Sequence, residues 1–217
     1  MKKMNVVIVN DDALGYGSAL LHAFNKQGTD ASLVSFNERG ILGKLRKTFF
    51  QKLFEKFLLK SIINKKPTSV LFLCGELNLK QEDILKLKKR CVSVGIWFYD
   101  DLYKYYAIHD YLNVFDFVLS FNPLDVEDIK KKLHTRCEFM PLFYDENLFK
   151  NDGHNIKKFE LSFIGSIYGP EYSQRRSAIY EICQIYEKST FFLCTGHSLL
   201  NVIKILPSST PLIGGKF

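Results

Sequence analysis

The chain contains little cysteine, and its cysteines form no recognisable pattern. There are five in 217 residues, an odd number, and no two stand in a C-x-x-C arrangement. This count and spacing are not those of a disulfide framework or a zinc site. We therefore expect reduced thiols in the core of a cytosolic protein, at Cys74, Cys91, Cys137, Cys183 and Cys194.

Long apolar runs, short-period repeats and low-complexity segments are also missing. No stretch approaches the ~18 consecutive apolar residues of a membrane-spanning helix. The start MKKMNVVIVN has only a short apolar run before Asp11 and Asp12, which favours a first strand over a signal peptide. The histidines are scattered without the spacing of metal ligands, so we expect no metal site.

The charge is basic, with 30 Lys and Arg against 23 Asp and Glu, a net +7. Such an excess suits an anionic partner. The basic residues mostly follow one helix face and no nucleic-acid motif occurs, so we expect no nucleic-acid partner. A nucleotide phosphate and an acidic membrane surface are the partners left open.

Short apolar runs recur along residues 1–149 and predict a parallel sheet. They include SVLFLC, VSVGIWF, FDFVLSF and CEFMPL, each nearly continuous in apolar residues, as is typical of strands covered on both faces. Helical segments separate most of them. The alternation predicts a doubly wound α/β domain that ends near Phe149.

Parallel strands bring their carboxyl ends to one edge of a sheet, where ligands bind. Polar residues follow three of the predicted strands, at Asp100–Asp101, Asn122–Pro123 and Tyr144–Asn147, and we expect them to share one rim. Asn122 has the position of a helix N-cap, with Pro123 at the first helical residue.

Residues 41–63 predict an amphipathic basic helix. One interpretation is a surface that contacts anionic lipid. The other, which we favour, is a crossover helix packed on the sheet with a solvated lysine face. Its apolar residues recur at spacings of three and four, at Leu42, Leu45, Phe49, Leu53, Phe57 and Leu58.

A polar segment at 150–158 with one glycine predicts a linker, and residues 159–217 begin a second α/β unit. In it, FELSFIG is a predicted strand, RSAIYEICQIYEK a helix and TFFLCTG a further strand, followed by a helix near 199–206. About 60 residues are fewer than the ~100 of a typical domain, so we expect an incomplete C-terminal domain.

Three motifs occur in this order: F-D-x-V-x-S-F-x-P-x-D from Phe115 to Asp125, M-P-L-F-Y from Met140 to Tyr144, and F-E-L-S-F-I-G-S from Phe159. With the Arg175-Arg176 pair, this pattern resembles the CgeB-like and lipopolysaccharide-biosynthesis glycosyltransferases of GT-B architecture. The resemblance covers about Pro67 to Lys188. It implies a GT-B-like α/β fold, with one complete Rossmann-like doubly wound domain on the acceptor side and the first part of a second on the donor side.

The resemblance also implies an activity, the transfer of a sugar from a nucleotide-sugar to a polysaccharide, lipopolysaccharide or other lipid-linked acceptor, with no obligatory metal or cofactor. No D-x-D occurs in the sequence, which argues against the metal-dependent architecture. The enzyme would be cytoplasmic and peripheral at the inner face of the membrane. We expect a truncated donor-side domain, so an inactive chain is the alternative to a catalytic one.

On the donor side, Gly165 and Ser166 lie between a predicted strand and helix, where backbone amides and a helix N-terminus can face a diphosphate. Arg175 and Arg176 would add fixed cationic donors for phosphate oxygens. The alternative for the two arginines is a solvated first helical turn, or ion pairs with the first domain.

On the acceptor side, transfer to a hydroxyl requires a general base, and acids at strand ends can serve. Asp11, Asp12, Glu76, Asp100 and Asp101 have suitable positions. We favour Asp100 and Asp11 as the catalytic acids. The alternative is that these side chains cap turns and helices.

Two other classes stay open. A non-catalytic binding or scaffold protein would use the basic helix to meet a membrane or a partner enzyme. A signalling receiver domain is suggested by VVIVNDDA, but such a domain needs an aspartate at the end of its third strand. Here that position contains Cys74, Gly75 and Glu76.

Overall fold

The chain folds into two compact units, Met1–Lys150 and Asn151–Phe217, in the computed structural model. The structure describes residues 4–10, 15–36, 50–74, 79–100, 102, 110–133, 135–142, 162–165, 173–185, 190–193 and 212–213. The predicted linker at 150–158 and the predicted helix near 199–206 lie outside these residues.

The first unit alternates strands and helices, as its apolar runs predict. Its described elements are β1 (Asn5–Asn10), α1 (Tyr16–Lys26), β2 (Asp30–Ser35), α2 (Gln51–Asn64), β3 (Ser69–Cys74), α3 (Gln81–Lys88), β4 (Ser93–Phe98), a 3-10 turn (Leu112–Val114), β5 (Phe117–Ser120), α4 (Pro123–Leu133) and β6 (Cys137–Phe139).

All six strands are parallel and form one sheet in the order β2-β1-β3-β4-β5-β6. Helix α1 covers one face, where Leu20, Leu21 and Phe24 pack against strand residues such as Ile8 and Leu71. The other face is covered by α2, α3 and α4. Their buried apolar pairs are Leu58 and Ile62, Ile84 and Leu87, and Val126 and Ile129. Helices on both faces confirm the predicted doubly wound α/β domain.

Local sequence signals fix several element ends. Gly15 before α1 and Gly28 after it have φ of 74° and 77°, a left-handed backbone that glycine adopts without steric cost. Asn122 caps α4 as predicted, because its Oδ1 accepts a hydrogen bond from the Leu124 N–H at 3.0 Å. Pro123 is the first helical residue.

The register between β4 and β5 depends on Asp116. Its Oδ2 accepts a hydrogen bond from the Val94 N–H at 2.7 Å, and its Oδ1 lies 2.9 Å from Lys88 Nζ. Asp116 belongs to the F-D-x-V part of the first sequence motif. That part of the motif therefore has a structural role at the amino end of the sheet.

The second unit contains a parallel three-stranded sheet in the order β7-β8-β9. Its elements are β7 (Ser162–Gly165), α5 (Ser173–Ile185), β8 (Thr190–Leu193) and β9 (Leu212–Ile213). The first three match the predicted strand, helix and strand. Strand β9 was not predicted, because two residues before a Gly-Gly pair have no periodicity to detect.

Candidate functional site

The strand order of the first sheet defines a crevice at its carboxyl edge. The chain moves outward from β1 to β2 and then returns to the other side of β1 to form β3. Open α/β sheets bind ligands outside the carboxyl ends of the strands at such a reversal. The candidate site therefore lies where β1 and β3 end, with β4 as the next strand.

Asn10 is the last residue of β1 and has a buried side chain, 1% exposed. Its Nδ2 donates a hydrogen bond to the Leu73 carbonyl oxygen at 3.0 Å, and its own carbonyl accepts one from the Phe36 N–H at 3.1 Å. Asn10 thus holds the ends of β1, β2 and β3 together. Asn10 was not among the residues predicted from the sequence, although a polar side chain that ends the apolar run NVVIVN is a signal that could have identified it.

Two tyrosines meet beside this edge. Tyr16 is the first residue of α1, and Tyr99 directly follows β4. Their ring centroids are 5.1 Å apart with an interplanar angle of 40°, and both residues are half-buried. Because β3 lies between β1 and β4, this pair connects the two sides of the crevice. Aromatic rings beside a few fixed polar groups are typical of ligand sites.

Asp100 follows Tyr99 and is half-buried. It therefore lies at the carboxyl edge, where the sequence predicts it, and it follows the strand adjacent to β3. The other predicted acid, Asp11, lies outside the described residues, as do Asp101 and Tyr144–Asn147 of the predicted rim. Asn122 follows β5 and shares the same edge.

The backbone just beyond Asp100 is held by Asp125. The Leu102 N–H donates to Asp125 Oδ2 at 3.1 Å, and the Leu102 side chain is buried, 5% exposed. The Ser120 hydroxyl donates to the same oxygen at 3.3 Å, and this hydroxyl oxygen accepts from the Asn122 N–H at 3.1 Å. Asp125 and Ser120, both from the first motif, thus tie the segment after β4 to the start of α4.

The predicted donor-side residues belong to the second unit. Gly165 is the last residue of β7, and the next helix is α5, so the predicted strand-to-helix order is present. Arg175 is exposed in the first turn of α5. Arg176 follows it in the helix, but its side chain and all of Ser166 lie outside what the structure describes. The phosphate-binding roles of these residues stay predictions.

Two thiols of the first unit are described, and both are free. Burial raises the pKa of Cys137 from 9.0 to about 11 and raises the pKa of Cys91 as well. A raised pKa removes the thiolate that acts as nucleophile or metal ligand. These two cysteines behave as the predicted core thiols.

Neither a metal cluster nor a membrane span is found in the part of the chain that the structure describes. No three His, Cys, Asp or Glu side chains there are grouped so that they could hold a metal ion. Helices in these ranges are too short or too polar to cross a bilayer.

Comparison with known proteins shows the fold. No family model and no curated protein matches the sequence. The structure is similar to UDP-GlcNAc 2-epimerase from Neisseria meningitidis, solved with UDP-GlcNAc bound, with a TM-score of 0.58 and 11% identity over 99% of this chain and 73% of that one.

It is also similar to trehalose-6-phosphate synthase, an enzyme studied for glycosyl transfer with retention, with a TM-score of 0.55 and 12% identity over 98% of this chain and 72% of that one. At such identities a likeness shows the fold alone. The predicted GT-B-like α/β fold is confirmed by these neighbours. The CgeB-like family and its lipopolysaccharide acceptor stay predictions.

Proposed function

We propose that this protein is a GT-B-type glycosyltransferase that moves a sugar from a nucleotide-sugar to a glycan or lipid-linked acceptor of surface polysaccharide or lipopolysaccharide assembly. The observation that supports it most is the reversal of the chain at β1 and β3, whose carboxyl ends lie side by side. Asn10 joins these two strand ends, the Tyr16 and Tyr99 rings are in contact at the same edge, and Asp100 follows Tyr99. The fold is shared with an epimerase solved with UDP-GlcNAc bound and with an enzyme of glycosyl transfer, and it is consistent with this chemistry.

In the proposed reaction, Asp100, with Asp11 as a second candidate, accepts the proton of the acceptor hydroxyl. The acceptor oxygen bonds to the anomeric carbon while the bond to the nucleotide diphosphate breaks. The diphosphate leaves with the electron pair of that bond. Arg175 and Arg176, with the backbone at Gly165 and Ser166, would stabilise its charge. The proposed reaction uses no metal or other cofactor. It would take place in the cytoplasm.

The receiver alternative is weakened by the end of β3. The order β2-β1-β3-β4-β5 also occurs in receiver-like folds. However, β3 ends at Cys74, and a thiol cannot take the place of the phosphorylated aspartate. The remaining alternative is a non-catalytic scaffold, and the experiment below distinguishes it from a glycosyltransferase.

The test is calorimetric titration with a panel of nucleotide-sugars, followed by product analysis. We expect Arg175→Ala to weaken donor binding about tenfold or more, the value of one hydrogen bond to a charged group. Arg90→Ala, an exposed arginine of the first unit, is the matched control. Asp100→Asn should lower turnover by ~10²-fold or more while donor binding persists, with the exposed Asp128→Asn as control.

Two outcomes would contradict the proposed activity, and a third would contradict the role given to Arg175. If no nucleotide-sugar binds, the scaffold alternative replaces it. If the donor binds and only its epimer is produced, the protein shares the activity of its epimerase neighbour. If Arg175→Ala binds as well as the unchanged protein, this arginine does not belong to the donor site.

A further inference from the structure

Helix α2 leaves an apolar stripe uncovered. Phe50, Leu53 and Phe57 are 57%, 66% and 66% exposed, although they lie three and four residues apart on one side of the helix. The predicted crossover helix packs on the sheet, but Leu53 and Phe57, which were among its predicted apolar residues, are not part of the packed face. The sheet instead covers the side of Leu58 and Ile62, which are 2% and 0% exposed.

A row of lysines borders this stripe. Lys52, Lys56 and Lys60 are exposed, recur every four residues and lie immediately beside the row of Leu53 and Phe57. The outward surface of α2, defined as Phe50, Leu53 and Phe57 with these three lysines, is therefore both apolar and cationic.

Among the residues that the structure describes, no carboxylate neutralises that outward surface. Glu55 is the only acidic residue of α2, and it is turned inward, 8% exposed, with Lys80 Nζ 4.0 Å from its Oε2. Within the described ranges, no ion pair involves Lys52, Lys56 or Lys60.

Helix α4 shows the ordinary arrangement of surface lysines. Lys131 Nζ lies 3.5 Å from Glu127 Oε2 and Lys132 Nζ 3.0 Å from Asp128 Oδ2, each pair one helical turn apart. Its lysines are balanced by acids on the same helix. Those of α2 are not, so α2 has an excess charge that an anionic surface would complement.

We propose that the outward surface of α2 docks on an anionic lipid bilayer. The helix would lie in the plane of the interface, with Leu53 and Phe57 among the upper acyl chains and the lysines extended to the headgroups. This goes beyond the proposed enzymatic activity, because the contact uses neither the crevice nor the second unit. It would hold the acceptor-side unit at a membrane surface.

The experiment is co-sedimentation of the full chain with vesicles, without any nucleotide-sugar. One vesicle type is phosphatidylcholine alone, and the other is equal parts phosphatidylcholine and phosphatidylglycerol. We expect binding to the anionic vesicles that is lost near 1 M salt, where the screening length falls to ~3 Å. Because no donor is present, this result is independent of whether the chain is a glycosyltransferase.

Two variants separate charge from apolar insertion. Changing Lys52, Lys56 and Lys60 to Gln should weaken binding about 100-fold, since each lysine near an anionic surface contributes about fivefold. Changing Leu53 and Phe57 to Ser should abolish binding while leaving the buried side of α2 intact.

Matched controls come from α4, where Lys130, Lys131 and Lys132 are changed to Gln, or the 72% exposed Leu124 to Ser. The proposal is overturned if the unchanged protein does not co-sediment with anionic vesicles. It is also overturned if the α2 variants bind these vesicles as strongly as the unchanged protein. It is also overturned if sedimentation velocity shows a dimer that the Leu53 and Phe57 variant loses, since the stripe would then join two copies of this chain.

Discussion

The Tyr16 and Tyr99 rings, 5.1 Å apart, connect the start of α1 to the end of β4 across the edge of the sheet. Neither tyrosine is on a strand, so this contact exists only because the parallel sheet places both at the same edge. A double-mutant cycle with Tyr16→Leu and Tyr99→Leu should give a coupling energy of ~0.5–1.5 kcal/mol, the range for such aromatic pairs. Urea unfolding of the two single variants and the double variant measures it. If the losses of the two single variants add up to that of the double variant, the contact between the two rings contributes no coupling energy.

Asp125 should be important to stability beyond its own helix. Asp125→Ala leaves the Ser120 hydroxyl and the Leu102 N–H without this acceptor, and we expect a loss of ~1–3 kcal/mol in the free energy of unfolding. The matched control is Asp128→Ala on the exposed side of the same helix, where a surface ion pair contributes ~0–1 kcal/mol. Equal losses for both variants would show that the hydrogen bonds from Leu102 and Ser120 to Asp125 do not stabilise the fold.

Gly95 on β4 should not tolerate a side chain. A Cβ at this position would collide with the ring of Phe117, its partner in β5. We expect Gly95→Ala to destabilise the fold by ~1–3 kcal/mol, the usual cost of overpacking. Combining it with Phe117→Leu should recover part of that loss in thermal unfolding. If Phe117→Leu instead lowers the stability of the Gly95→Ala variant as much as that of the unchanged protein, the Phe117 ring is not what excludes the methyl group.

The raised pKa of Cys137 predicts how the free energy of unfolding changes at high pH. Burial keeps the folded thiol protonated up to about pH 11, whereas the unfolded thiol ionises near 9.0. The unfolded state therefore binds fewer protons in this window, and the free energy of unfolding should fall as pH rises from about 9 to about 11.

Cys137→Val should lose this part of the pH dependence, measured by urea unfolding at several pH values. Lysines and tyrosines titrate in both proteins, so the difference between the two curves isolates the thiol. Parallel curves would contradict the raised pKa.

Much of the first unit followed from sequence alone. Continuous apolar runs identified the buried parallel strands, and Asn122-Pro123 identified the start of α4, because both signals depend on near neighbours in the chain. The donor-side elements β7 and α5 were identified in the same way, with Gly165 as the last residue of β7 and Arg175 in the first turn of α5. Whether they bind a diphosphate depends on residues such as Ser166 that the structure does not describe.

Tertiary structure decided what local patterns could not. Helix α2 has apolar residues around most of its circumference, so its sequence did not determine which side the sheet would bury. The sheet covered Leu58 and Ile62 and left Leu53 and Phe57 outside.

In the same way, the sequence identified acids at strand ends but not which ends meet. The order of the strands placed Asn10, Tyr16 and Tyr99 at one crevice. Strand order depends on long-range pairing, and no local pattern of residues carries it.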